Sequence, residues 1–89
     1  MKLFIVHVGF YELSIGIYEL HSNILVVAKD VQEAKENVKN LDIFKDKQMH
    51  IDGIQEISSV DGYAIVLSKN ESVDRQNKLY SYTEVQKIG

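Results

Sequence analysis

With 89 residues, 45% hydrophobic and 26% charged, the chain has the size and composition of one globular domain with one core, and too much apolar mass for disorder. A formal net charge of −3 gives no basis for attraction to nucleic acid or to an anionic membrane surface. The absence of cysteine excludes disulfides, thiolate chemistry and zinc sites of the cysteine type.

Residues 2–8 are apolar on both alternating faces and rich in β-branched types, which is how a buried strand reads. The apolar run is too short and too interrupted by His7 for a secretory signal, and nothing approaches the ~20 apolar residues of a membrane span. The expected setting is therefore cytoplasmic. Gly9 is expected to end the strand, and the segment Gly9 to Gly16 to make a hairpin-like connection with exposed apolar side chains. Residues 17–28 form a second strand, semi-polar at Glu19, His21 and Asn23 and fully apolar from Ile24 to Ala28.

Asp30 with Glu33 makes a capping pattern for a helix, and Val31, Ala34, Val38 and Leu41 recur at helical spacing for about three turns. Ile43 and Phe44 are expected to plug the helix end against the sheet. Residues 49–59 read as a strand whose apolar phase changes near Gly53, as a β-bulge there would explain. Asp61-Gly62 predicts a type I′ hairpin turn, with a returning strand over 63–68. A polar linker over 69–77 leads to a fifth strand over 78–86, with Tyr80 and Tyr82 on one face.

The fold class implied is α+β: two layers, with one helix packed on a largely antiparallel sheet of four to five strands in the order β-β-α-β-β-β. The stretches Lys2-Leu3-Phe4-Ile5-Val6, Ile17-Tyr18-Glu19-Leu20-His21, Val26-Val27, His50-Ile51-Asp52 and Val60-Asp61-Gly62-Tyr63, in that order, resemble an uncharacterised bacterial family, the domain of unknown function 1543. The resemblance implies an architecture of one or two copies per chain and assigns no catalytic residue. It makes the last twelve residues the opening strand of a second copy, with Ser81-Tyr82-Thr83 where apolar residues are expected.

Three histidines, His7, His21 and His50, fall in predicted strands, and imidazole is both a metal ligand and a proton carrier. His7 and His21 lie on strands expected to pair, so they are the candidate metal ligands. No two histidines show a short ligand spacing, and the plainer reading is hydrogen bonding within the sheet, with no metal and no cofactor. His50 and Asp52 share a strand face about 7 Å apart if no bulge intervenes. With Glu56 they are the candidate catalytic group. No nucleophile motif or phosphate cradle accompanies them, and the plainer reading is an exposed polar face.

Phe10, Tyr11, Leu13 and Ile15, together with Tyr80 and Tyr82, are candidate interface residues. One helix covers one sheet face, yet residues 3–8 and 24–28 are apolar in both directions. The leading expectation is therefore a non-catalytic interaction module rather than an enzyme, one that forms a homodimer through the sheet face or by pairing of its C-terminal strand. The alternative is a small-molecule-binding protein or enzyme with its site between the 9–16 loop and His50/Asp52.

Overall fold

The computed structural model describes residues 1–69 and 77–89. Strands β1 (Lys2–Tyr11), β2 (Glu19–Ala28) and β3 (His50–Ile57) form one antiparallel sheet in the order β2-β1-β3. The strand that is apolar in both directions is thus the central one. Helix α1 (Val31–Lys39) lies on one face, and a short helix α2 (Asp42–Asp46) follows it. The α+β class and the general order of elements are as expected from the sequence.

The even-numbered residues of β1 face the helix. Phe4 packs with Ala28 and Ala34, and Val6 and Val8 pack with Val38, all six of them buried. Val26 and Ile54 border both groups, and Phe44 of α2 closes the second, as the plugging role expected for it requires. Ile43, paired with Phe44 in that expectation, is instead about half exposed, because α2 turns only one side toward the core. Asp30 caps α1 by accepting from the Glu33 N–H at 2.8 Å, which satisfies one of the free donors of the first turn. Val31 and Leu41, at the two ends of the expected apolar stripe, stay exposed.

Three elements differ from the sequence reading. Strand β1 does not end at Gly9 but runs on to Tyr11, and the connection to β2 is a single 3-10 turn at Leu13–Ile15 closed by Gly16 with φ 127°. The Asp61-Gly62 turn forms with both residues at positive φ, 54° and 82°, but it joins only the two-residue strands β4 (Ser59–Val60) and β5 (Tyr63–Ala64), which make a separate hairpin. The fifth strand expected over 78–86 is absent. Tyr82–Lys87 is helix α3, whose N-cap Ser81 accepts from the Glu84 N–H at 3.2 Å and donates to the Glu84 carboxylate at 3.1 Å. Ser81-x-x-Glu84 is a capping box, and it outweighs the β preference of the two tyrosines. The reading of this segment as the opening strand of a second copy goes with it. The expected polar linker 69–77 lies, but for its ends, outside the described residues.

Candidate metal and catalytic site on the open sheet face

The face of the sheet away from α1 carries the odd-numbered residues of β1 and their partners across each ladder. Leu3 pairs with Val27 and Ile57, and Ile5 with Leu25 and Gln55; His7 pairs with Asn23 and Gly53, and Gly9 with His21 and His50. One end of this face is therefore apolar, and the other gathers the histidines.

Register alone does not make the cluster; a bulge and a glycine complete it. Between His7 and Val8 the pairing of β1 with β3 shifts, so that Asp52 is the extra residue on β3. The bulge expected near Gly53 thus falls one residue earlier. A bulge re-aims a side chain. Here the Asp52 carboxylate reaches His50 Nε2 on one side, at 3.2 Å, and His21 Nδ1 on the other, at 3.3 Å. Gly9 lies between His21 and His50 on the central strand and is itself buried. A β-carbon there would stand 2.5 Å from His50 Nε2 and 2.7 Å from Glu19 Oε1, so the missing side chain is what lets these two groups meet over the strand.

Glu19 Oε1 accepts from or faces His50 Nε2 at 2.9 Å and lies 3.8 Å from His21 Nε2. His7 stacks on His21 with ring centroids 5.0 Å apart and planes 5° from parallel. Its Nδ1 lies 2.8 Å from Asn23 Oδ1, an acceptor, so Nδ1 is the donor of that hydrogen bond. Two sets of three ligand-type atoms result, each within 4.8 Å of one another: His7, His21 and Asp52, and Glu19, His50 and Asp52. All these side chains are exposed or half-buried, so water and small molecules reach them. Beside them a depression of about 380 Å³ is lined by Ile5, His7, Asn23, Gly53, Ile54 and Gln55.

The structure thus brings together His7 with His21, as expected of paired strands, and His50 with Asp52, and it merges the two pairs into one site. Glu56 does not join. It pairs across from Phe4 on the helix side and lies 3.6 Å from Lys2. Glu19 and Asn23 were read only as polar strand residues; their one sequence signal was Gly9 inside an otherwise β-branched strand, a mark of close approach. Of the loop expected to border the site, only its first residue, Gly9, does so. Tyr11, Leu13, Ile15, Tyr80 and Tyr82 are exposed and Phe10 is half-buried, all outside the cluster. The carboxyl group of Glu12 is held below its ordinary pKa, first by its hydrogen bond with Lys47, then by that with Ser14 and by the Lys47 charge.

The model of the family described as Domain of Unknown Function (DUF1543) matches residues 16–67, more than half of the chain. The chain belongs to that family. Glu19, His21, His50 and Asp52 lie within the matched stretch, whereas His7 and Gly9 precede it. Comparison with curated proteins and with solved structures finds no match.

The expectation that the protein is not an enzyme is corrected by this geometry. It rested on the absence of catalytic motifs and of short histidine spacings, and a compact His/Asp/Glu ligand cluster argues against a non-catalytic protein. Cross-strand register assembles such a cluster without any local spacing. Among the described residues, no helix is long and apolar enough to cross a membrane.

Proposed function

We propose that the protein is a metal-dependent, small-molecule-processing enzyme of the cytoplasm, with a divalent transition ion of the zinc class held by Glu19, His50 and Asp52. The observation that carries this is spacing. Four ligands at zinc-ligand bond lengths of about 2.0–2.1 Å stand about 3.3 Å apart at the corners of a tetrahedron. His50 Nε2 is 2.9 Å from Glu19 Oε1 and 3.2 Å from Asp52 Oδ1, already close to that separation without an ion.

Three protein ligands on an open face leave the fourth position to water, the arrangement of a catalytic rather than a structural zinc. An ion held there by Glu19, His50 and Asp52 would supply the activation of water for hydrolysis of a small electrophilic substrate. The depression beside His7, with the amides of Asn23 and Gln55 on its wall, has the position and size for a small substrate. Calorimetric titration of metal-free protein with Zn²⁺ tests the reading, coupled to zinc-dependent hydrolysis of 4-nitrophenyl acetate. Saturable binding is expected, with zinc-dependent hydrolysis lost in His50→Ala. No binding heat and no zinc-dependent hydrolysis contradict it.

We also propose that a second copy covers the apolar end of the same face. Leu25 is 66% and Val27 44% exposed there, beside half-buried Leu3, Ile5 and Ile57, and a two-fold contact lets one such patch satisfy itself. Pairing through a C-terminal strand is no longer part of this proposal, since Tyr82–Lys87 is helical. Light scattering over a dilution series is the test: a mass that stays at one chain at high concentration removes it.

A further inference from the structure

The two ligand sets share one residue, and the way they share it has chemical content. Asp52 Oδ1 faces His50 Nε2 at 3.2 Å, while Oδ2 faces His21 Nδ1 at 3.3 Å. The two oxygens of one carboxylate thus address histidines on the two strands that flank β1. From these contacts we propose that Asp52 bridges a pair of divalent transition ions, one held with Glu19 and His50 and the other with His7 and His21. The inference rests on the single-ion reading above and adds the second ion.

Three features of the site support the pair. A carboxylate that binds one metal through each oxygen suits the roughly 3.5–4 Å separation of two-metal sites. The second set is complete in ligand type, with His7, His21 and Asp52 each offering a ligand atom within 4.8 Å of the other two. The hydrogen bond of His7 Nδ1 to Asn23 is the kind of support that fixes a ligating imidazole in its tautomer. Glu19 lies within 3.8 Å of His21 as well as 2.9 Å from His50, so a second carboxylate stands beside both positions.

Charge adds a consequence. Two carboxylates and three neutral imidazoles balance one divalent ion, and a second leaves the site with a net charge of about +2. An anionic substrate group is what such a site would draw in.

The test is metal content after equilibrium dialysis against Zn²⁺, measured by mass spectrometry of the intact chain and its variants. Circular dichroism serves as the check on folding, and paramagnetic resonance of Mn²⁺-loaded protein as a second readout. The expected result is two ions per wild-type chain, one in His21→Ala, one in His50→Ala, none in Asp52→Ala, and a spin-coupled manganese spectrum in the wild type alone. One ion per wild-type chain, unchanged by His21→Ala and with an uncoupled spectrum, overturns the pair while leaving the single-ion site in place. No ion in the wild type overturns both.

Discussion

The two ends of the open sheet face are built from the same three strands and the same register, yet they ask for different things. At one end Leu3, Ile5, Leu25, Val27 and Ile57 form an apolar surface that gains free energy by being covered, at roughly 25 cal/mol per Å² removed from water. At the other, His7, His21, His50, Glu19 and Asp52 form a polar surface whose groups already satisfy one another and stay within reach of solvent. The backbone is common to both; side-chain chemistry, one bulge and one glycine make the difference. An unpartnered face is therefore no single signal, and the two halves are separable by mutation.

The largest effect belongs to the residue that both ligand sets share. Asp52→Ala is expected to lower zinc affinity by more than 100-fold, beyond the 10- to 100-fold typical of residues that only support a ligand. Unfolding in urea should show little change, because the side chain is exposed. A variant that binds zinc normally, or that unfolds far more easily, puts Asp52 outside the site.

Gly9→Ala comes next. The new methyl meets the mobile ends of His50 and Glu19 rather than backbone, so the sheet should survive while the cluster is pushed apart. Zinc affinity is expected to fall on the order of 10- to 100-fold, with an unaltered far-ultraviolet spectrum. Wild-type affinity in this variant would mean that the convergence over β1 is not what binds.

Leu25→Glu sharpens the comparison from the other end. It places a charge in the apolar half, and sedimentation is expected to show the proposed dimer giving way to a single chain, with zinc uptake unchanged. Equal self-association in the variant breaks the assignment of the apolar end to a second copy.

The smallest effect is that of pH on Glu12. Its pKa is lower in the folded chain than in the unfolded one, so its contribution to stability is present above the ordinary carboxylate range and fades as pH falls through the lowered value. The side chain is only partly buried, so solvent screens the pair with Lys47. Lys47→Ala should therefore leave stability nearly unchanged at low pH and reduce it slightly at neutral pH, as denaturant midpoints at the two pH values will show.

Much of this architecture was legible in the sequence because its signals are local. The β-branched run of β1, the Asp30/Glu33 cap, the phase change near Gly53 and the Asp61-Gly62 turn each depend on neighbours a few residues apart, and each appears in the structure close to where it is expected. The C-terminal segment differs for a reason equally local: tyrosine alternation points to a strand, but the Ser81/Glu84 cap starts a helix. The site was half legible. His7, His21, His50 and Asp52 were candidates by type, but in two separate pairs. That they form one cluster depends on the β2-β1-β3 order, which brings positions 31 residues apart, Glu19 and His50, together across Gly9.

Anomalous diffraction from crystals grown with zinc, recorded on both sides of the zinc absorption edge, decides whether these converging side chains hold a divalent transition metal. A peak bounded by Glu19, His50 and Asp52 is the expected result; a map in which zinc sits elsewhere, or nowhere, while those three side chains keep their contacts with one another rules the metal site out.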